Sequence, residues 1–262
     1  MTRARAAAML LAAVALVATD APAKYRSSPE RRTVAEHDWG PWLGPFRRKL
    51  VPSLMQDFGE RYLYAPANAA LPPPRADERR VVFIGDSITD GWDLAKSFPG
   101  KPYVNRGIGS QVTAQMLLRF EQDVVALKPA AVVILGGVND VTGFLQAESA
   151  DGIVANVEAM GDIADAHGIR VVLCSILPVN GYTEDARDVP KERQPAVLRA
   201  INTRLRSLAD RRGFAFADYE PVLSDSHGMM RAELTRDGVH PLAGGYARMV
   251  PVARDAIERV LR

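Results

Sequence analysis

Short apolar runs alternate along the chain with longer segments in which apolar residues recur every three or four positions. From residue 81 the runs read VVFI, AAVVIL, RVVLCSI and FAFADY. Short, continuous apolar runs are typical of strands buried on both faces, and their alternation with helices is typical of a parallel sheet. The pattern therefore predicts a three-layer α/β/α sandwich around a central parallel sheet of about five strands, which is a flavodoxin-like α/β fold.

Three segments between these runs have the period of a helix. One carries apolar residues at intervals of four, which predicts a helix with one buried face; they are Val112, Met116, Phe120 and Val124. Segments 151–167 and 195–212 each end on a basic residue before a glycine, and we expect Gly168 and Gly213 to end these helices in a left-handed conformation. Between them, the polar segment 178–195 is too long for a minimal connection, which predicts a loop at the rim of a site.

The chain begins with the features of a secretory signal peptide. Two arginines precede an apolar run over 6–18, and the small residues Ala-Pro-Ala follow at 21–23. We expect residues 1–23 to be removed on export, so that the mature protein is periplasmic or extracellular. The apolar run is short for a bilayer span, and no other stretch approaches the required length, so no stable membrane insertion is expected after cleavage.

Residues 24–80 differ in composition from the rest of the chain. They are rich in proline, arginine and aromatic residues, and the triple proline at 72–74 can neither continue a helix nor join a central strand. We interpret this segment as an N-terminal arm with a short helix around 53–64. The arm is expected to pack on a domain formed by residues 81–262.

Charge and cysteine content exclude several kinds of partner. Lysine and arginine exceed aspartate and glutamate only by 33 to 31, and the excess is scattered along the chain, so no nucleic-acid partner is expected. The only cysteine, Cys174, lies inside an apolar run and is interpreted as a small buried residue. An internal disulfide, a lipid anchor on an N-terminal cysteine and a thiolate metal cage are therefore excluded.

Polar residues stand where the apolar runs end. The chain reads GDSITDG at 85–91, NRGIGSQVT at 105–113, GGVND at 136–140 and RDGVHP at 236–241. Because open parallel sheets bind ligands outside the carboxyl ends of their strands, we expect these four blocks to meet at one rim. Each block alone is weak evidence, since its polar residues can also cap a helix or close a turn.

In this order, the four blocks resemble those of the GDSL, or SGNH, hydrolase family of esterases and lipases, over residues 81–249. The resemblance implies that Ser87 in the first block is the nucleophile. It also implies that Asn139 is the asparagine of the family, and that Asp237 and His240 are its acid and base.

The second block departs from the pattern of this family. The family places a glycine at the position whose backbone amide binds the oxyanion, and Ser110 occupies that position here. A serine can still supply the amide if its backbone angles allow it, although a left-handed conformation would be unfavourable. A register shifted by one residue would make Gly109 the donor instead.

The residues themselves support the catalytic roles. A serine hydroxyl is a weak nucleophile at neutral pH, so it needs a base that accepts its proton and a third group that orients the base. His240 suits the base, and Asp237 can reach the ring nitrogen that faces away from Ser87. Among the other histidines, His227 is the one rival base, because Asp225 lies close to it in the sequence.

Negative charge develops on the carbonyl oxygen of an ester during attack, and donors placed in advance must receive it. We assign this role to the backbone amides of Ser87 and Ser110 and to the side-chain amide of Asn139. The alternative role for Asn139 is to close a turn after a strand.

Residues beside Ser87 shape the turn that carries it. Thr89 stands where the nucleophile elbow of α/β hydrolases needs a glycine, so a looser turn is expected. Asp86 is expected to accept hydrogen bonds from backbone amides. Asp90 and Trp92 either cap the helix and fill the core or line the acyl pocket.

Together these expectations describe a secreted serine esterase that needs no cofactor or metal and acts on small-molecule or carbohydrate esters. The absence of a strongly apolar lid segment favours short acyl groups, such as the acetyl esters of carbohydrates. Three alternatives stay open: acyl transfer to an alcohol from the same site, a phosphoesterase whose metal is held by Asp86, Asp90 and Asp140, and a binding protein without turnover.

Overall fold

The computed structural model describes residues 40–145 and 148–262, with side chains from residue 44 onward. The predicted signal peptide, 1–23, and the first part of the predicted arm, 24–39, lie outside these ranges. Within them, no helix is both long enough and apolar enough to cross a membrane.

Five parallel strands form the central sheet, which confirms the fold predicted from the apolar runs. The strands are Val81–Gly85 (β1), Tyr103–Gly107 (β2), Ala131–Leu135 (β3), Arg170–Cys174 (β4) and Ala215–Ala217 (β5). Their order across the sheet is β2-β1-β3-β4-β5, the order of flavodoxin-like sheets. The strand order reverses between β1 and β3, so the crevice in which such sheets bind ligands lies at their carboxyl ends.

Helices and short helical turns connect the strands. The helices are Gly40–Leu54 (α1), Ala65–Ala70 (α2), Ser87–Asp90 (α3), Leu94–Ser97 (α4), Thr113–Leu118 (α5), Phe120–Asp123 (α6), Ala150–Ala166 (α7), Val189–Glu192 (α8), Pro195–Arg212 (α9), Glu220–Leu223 (α10) and Ala243–Leu261 (α11). Three 3-10 turns are Val125–Leu127, Asp140–Thr142 and Ala232–Leu234. As predicted, Gly168 and Gly213 are left-handed, with φ of 69° and 67°.

Helices cover the sheet on both faces and complete the three layers. Helices α5, α7 and α9 pack side by side, with α7 and α9 against β4, while α11 packs against β3, β4 and β5. Every residue of β1 and β3 is buried. This double burial explains why the sequence shows continuous apolar runs and not an alternation of apolar and polar residues.

The segment after residue 112 does not form the single helix that its apolar spacing predicts. The predicted apolar residues are buried, but the helix is interrupted at Arg119, whose φ is −103° and ψ is 3°. The side chain of Arg119 is fully buried and donates hydrogen bonds to the carbonyls of Gly85 (2.9 Å) and Arg106 (2.7 Å). The helix is therefore interrupted at an arginine whose side chain bonds the ends of β1 and β2.

The described part of the arm, from residue 40 onward, belongs to one compact unit with the domain. Residues 55–64, between α1 and α2, form turns, so the helix predicted over 53–64 is wrong. Glu60 there has a left-handed φ of 51°, which interrupts helical geometry. The arm is fastened to the end of β2, because the Tyr64 hydroxyl donates to the carbonyl of Gly107 (2.5 Å) and Asn68 accepts from Arg106 (2.8 Å).

Glycines at the ends of β1 and β2 allow α3 to lie directly against the sheet edge. Gly85 and Gly107 are register partners. A Cβ at Gly85 would stand 2.1 Å from the Thr89 hydroxyl oxygen, and one at Gly107 would stand 2.1 Å from the backbone nitrogen of Asp90. Any side chain at either strand end would therefore displace the helical turn that begins with Ser87.

Candidate active site

The turn after β1 presents Ser87 at the carboxyl edge of the sheet. Ser87 is the first residue of α3, and the Asp86 carboxylate accepts a hydrogen bond from the backbone amide of Ile88 (2.9 Å). Asn105 fixes the far side of the turn, since its amide donates to the carbonyls of Thr89 (2.6 Å) and Trp92 (3.0 Å). The Ser87 hydroxyl therefore emerges from a turn that hydrogen bonds hold on both sides.

His240 and Asp237 approach Ser87 from the loop before α11. The Ser87 Oγ lies 2.8 Å from His240 Nε2, and His240 Nδ1 lies 2.6 Å from Asp237 Oδ2. The other oxygen of Asp237 accepts hydrogen bonds from the amides of Val239 (3.0 Å) and His240 (2.9 Å). One short segment thus supplies the carboxylate, the imidazole and the amides that hold the carboxylate in place.

These contacts change the acidity of both side chains. The hydrogen bond to Asp237 raises the pKa of His240 above its usual value, although burial acts in the opposite direction. Burial raises the pKa of Asp237, but hydrogen bonds from the His240 ring and from two amides outweigh it and hold this pKa well below its usual range. The pair is arranged to keep a carboxylate beside the imidazole and to favour the imidazolium when the ring accepts a proton.

Asp86 supplies a second negative group beneath the site. It is 1% exposed, and burial raises its pKa to about 7, partly offset by the hydrogen bond from Ile88. When ionised, it raises the pKa of His240. Arg193, in the rim loop, interacts electrostatically with both Asp86 and Asp237. The rim loop therefore brings a positive charge close to the site.

The rim loop predicted over 178–195 packs on the segment that carries His240. The amide of Asn180 donates to the carbonyl of Gly238 (3.0 Å), and the Thr183 hydroxyl donates to the carbonyl of Arg236 (2.9 Å). Gly238 has a left-handed φ of 79°, and a Cβ there would stand 2.2 Å from the Asn180 carbonyl oxygen. Only a glycine fits this junction between the two loops.

The second and third blocks meet beside Ser87. The Asn139 side-chain amide donates to the backbone carbonyl of Gln111 (3.1 Å), next to Ser110. Asp140 is buried and accepts from the amide (3.0 Å) and hydroxyl (2.5 Å) of Thr113, the first residue of α5. Asn139 and Asp140 therefore tie the loop after β3 to the loop after β2.

Ser110 has a left-handed φ of 68°. This is the conformation that the usual glycine would adopt without strain. Gly109 also lies at the site, because a Cβ there would stand 4.0 Å from the Cβ of Ser87. The two candidate donors are thus consecutive residues of one loop, and this loop reaches the nucleophile at Gly109.

Substitution of Ser110 by glycine is expected to raise the free energy of unfolding by up to about 1 kcal/mol, because it removes the strain of a left-handed serine. Denaturant titration measures this change. Ser110→Ala keeps the strain and serves as the control, with no stabilisation expected. A loss of stability in Ser110→Gly would show that the serine side chain contributes to this loop.

Several other sequence expectations have structural answers. Trp92 is 2% exposed and packs against the rings of Phe83, Phe98 and Tyr246, so it fills the core and does not line the site. This large ring is too fully enclosed to meet a ligand. The rival base His227 is exposed in a separate loop, where its backbone amide bonds Asp225 (2.8 Å).

The three carboxylates of the alternative metal site do not form a group. Asp86 bonds the amide of Ile88, and Asp140 bonds Thr113. In the part of the chain that the structure describes, no set of three histidine, cysteine, aspartate or glutamate residues is arranged to hold a metal ion.

Sequence reasoning missed the buried polar residues behind the site. Gln111 and Arg119 are both fully buried, and the Gln111 side chain accepts from Arg119 Nε (2.6 Å). Asn105, in β2, is a further polar residue behind the site, and its side chain holds the turn that carries Ser87. The available signal was an arginine on the apolar face of a predicted helix, a residue type that is almost never buried without partners.

The family of the chain follows from comparison with known proteins. Residues 83–248 match the GDSL-like lipase/acylhydrolase family. A candidate acylhydrolase from Bacteroides fragilis is 36% identical over 79% of this chain and 99% of its own, with a TM-score of 0.72. A GDSL-like lipase from Bacteroides thetaiotaomicron is 35% identical over 78% of this chain and 99% of its own, with a TM-score of 0.71. An acetylxylan esterase from Geobacillus stearothermophilus shares the fold with 22% identity over 68% of this chain and 94% of its own, with a TM-score of 0.56.

No protein with a curated description matches the chain. The family match nevertheless spans more than half of its length and includes all four sequence blocks. The two Bacteroides structures extend the similarity over nearly their whole lengths. The chain belongs to the GDSL-like lipase/acylhydrolase family of esterase-type enzymes.

Proposed function

We propose that this protein is a carboxylic ester hydrolase that works through an acyl-serine intermediate. The observation that carries the proposal is the continuous contact from the Ser87 hydroxyl through the His240 ring to the Asp237 carboxylate, over distances of 2.8 and 2.6 Å. These are the distances at which a base can take the hydroxyl proton and a carboxylate can hold the base.

In the first half of the reaction, Ser87 Oγ attacks the ester carbonyl carbon and its proton passes to His240 Nε2. Asp237 stabilises the imidazolium that forms. The bond between the carbonyl carbon and the alcohol oxygen then breaks, and Nε2 returns the proton to the leaving alcohol. The acyl group remains on Ser87 as an ester.

In the second half, water attacks the acyl-serine and gives a proton to Nε2, and the acid leaves as Ser87 recovers that proton. The side chains of His240 and Asp237 are 48% and 52% exposed, so water reaches the site directly.

The oxyanion of each intermediate would be held by the amides of Ser87 and Ser110 and by the side chain of Asn139. The Asn139 amide has two N–H groups, and one of them bonds the carbonyl of Gln111 (3.1 Å). That bond orients the amide and leaves the second N–H for the substrate.

Replacing Asn139 with alanine is expected to lower kcat roughly 10²- to 10³-fold, because one oxyanion donor is lost. Steady-state hydrolysis of p-nitrophenyl acetate measures the effect. Asn139→Asp, which keeps the shape but cannot donate, should lose at least as much. Asn156→Ala, which removes a matched amide that bonds the hydroxyl of Thr113, should keep its activity. A role confined to closing the turn would instead give an active but less stable Asn139→Ala protein.

For the substrate, we propose short acyl esters and, among natural substrates, acetyl esters of carbohydrates. Two observations support this proposal: the sequence shows no strongly apolar lid segment, and a fold relative is an acetylxylan esterase. A panel of p-nitrophenyl esters from acetyl to dodecanoyl, with acetylated xylo-oligosaccharides, tests this proposal. We expect kcat/KM to be highest for acetyl. A maximum at eight carbons or more would contradict it, and transfer of acetyl to added alcohols in place of acetate release would indicate an acyltransferase.

We also propose that the protein is exported and that residues 1–23 act as its signal. Expression of the full chain in a Gram-negative host, followed by N-terminal sequencing of the periplasmic fraction, tests this. The expected product begins at Lys24. Retention of uncleaved protein in the cytoplasm would contradict the proposal.

A further inference from the structure

The arm reaches the oxyanion side of the site through one buried glutamine. Gln111 directly follows Ser110 and is fully buried. Its side-chain nitrogen donates to the Gly59 carbonyl (3.2 Å) and to the Glu60 carboxylate (3.1 Å), both in the arm. Its side-chain oxygen accepts from Arg119 (2.6 Å). Both the nitrogen and the oxygen of the Gln111 side-chain amide are thus held by hydrogen bonds.

The backbone of Gln111 connects this anchor to the proposed oxyanion donors. Its carbonyl accepts the hydrogen bond from Asn139 (3.1 Å), and its own amide lies one residue from the left-handed Ser110. A serine keeps such a conformation only when its surroundings hold it there. Movement of Gln111 would therefore shift two of the three proposed donors together.

Residues 58–60 of the arm pack closely against α5. Glu60 is 6% exposed and left-handed, with φ of 51°. The neighbouring carbonyl of Phe58 accepts from Gln115 (2.7 Å), a second glutamine of the same region. A Cβ at Gly59 would stand 3.1 Å from the Cβ of Leu118, so the segment lies in close contact with α5.

Arg119 and Gln111 offset part of the cost of burying Glu60. Arg119 is fully buried and pairs with Asp123 (3.1 Å). Burial raises the pKa of Glu60, and the hydrogen bond from Gln111 and the charge of Arg119 act in the opposite direction. Glu60 is not needed to satisfy Arg119, whose guanidinium already has partners in Gly85, Arg106 and Asp123.

We propose that Glu60 is a positioning residue for the oxyanion site, which acts through Gln111 on Ser110 and Asn139. The arm then belongs to the catalytic apparatus although it lies outside the matched family region, 83–248. This inference rests on the proposed esterase function. It extends that function by assigning a role to a segment remote in sequence from all four blocks.

Replacing Glu60 with alanine is expected to lower kcat for p-nitrophenyl acetate about tenfold with KM changed less than about twofold, since donors are displaced but not removed. Glu60→Gln retains an acceptor at the same place and should restore kcat to within about twofold of the wild type. Glu78→Ala is the matched control in the arm, because Glu78 bonds Arg80 (2.9 Å) at the opposite end of β1. It should keep kcat even if stability falls.

A double-mutant cycle with Asn139→Ala separates positioning from a general loss of stability. If Glu60 acts through the donors, the Glu60→Ala effect should shrink below about threefold in the Asn139→Ala background. All variants are compared well below their melting temperatures, and Glu60→Asp, with a shorter reach, replaces Glu60→Ala if the latter does not fold.

The proposal is overturned if kcat of the folded Glu60 variant equals that of the wild type, if Glu60→Gln is as impaired as Glu60→Ala, or if the effect persists undiminished without Asn139. Failure of the esterase function would look different. In that case the wild type itself would release no acid from esters, or Ser87→Ala would be as active as the wild type.

Discussion

Replacing Ser87 with alanine is expected to lower kcat for ester hydrolysis about 10⁶-fold, which is the scale at which a nucleophile is lost from a working triad. Ser87 Oγ is the nucleophile in the proposed mechanism, and without it no acyl-enzyme can form. KM should change little, because the hydroxyl contributes little to ground-state binding. Steady-state kinetics with p-nitrophenyl acetate measure both constants.

The matched control for this variant is Ser207→Ala. Ser207 is exposed on α9, and its hydroxyl bonds only a backbone carbonyl of the same helix, that of Thr203 (3.0 Å). Its loss should leave kcat unchanged. A Ser87→Ala variant that kept its activity would contradict the serine mechanism.

Replacing Asp237 with asparagine is expected to lower kcat about 10⁴-fold, since the ring of His240 would lose its orienting carboxylate and adopt the wrong tautomer. The same change should move the pH profile. Only neutral His240 can accept the Ser87 proton, so activity falls as pH drops through the pKa of the ring. Asp237 raises that pKa, and its removal lowers it.

In the wild type, the midpoint of the acid limb of the kcat/KM profile is therefore expected at a pH above the ordinary pKa of histidine. In Asp237→Asn, this midpoint is expected to shift to lower pH. Asp86, with a pKa of about 7, ionises in the same range, so the wild-type limb reports the coupled groups and not His240 alone. Asp188→Asn, an exposed change in the rim region, is the control and should leave the limb in place. An unshifted limb in Asp237→Asn would mean that the carboxylate does not act on the ring.

The layers of the fold were predictable because burial on both faces leaves a direct trace in the sequence. The runs at β1, β3 and β4 are continuous and apolar, and each begins within a residue of its strand. The helix ends at Gly168 and Gly213 were equally predictable, because a left-handed residue after an α-helix is usually a glycine.

The approach of Ser87, Asp237 and His240 was predictable from two sources together. The carboxyl ends of parallel strands share one edge, which places Ser87 there directly after β1. The resemblance to the GDSL hydrolases supplied the pairing with Asp237 and His240, which lie well beyond the end of β5 in the sequence. The interruption at Arg119 was not predictable in the same way. The apolar spacing correctly predicts which residues of this segment are buried. It does not reveal that the buried guanidinium of Arg119 bonds carbonyls at the ends of β1 and β2.

The contact of the arm with Gln111 was also hidden from the sequence. Glu60 and Gln111 are 51 positions apart, and both are ordinary surface residue types. Neither spacing nor composition could bring them together, since their contact depends on how residues 55–64 turn over α5. A helix over those residues, as predicted, would not have placed Glu60 beside Gln111.

The most direct test of the central claim is covalent labelling with a fluorophosphonate, followed by peptide mapping. A serine that shares its proton with His240 should react with the reagent, and the modified residue should be Ser87. In His240→Ala, the rate of labelling should fall at least about 10³-fold, because the base is missing. Modification of a different residue, or labelling of Ser87 at an undiminished rate without His240, would contradict the account.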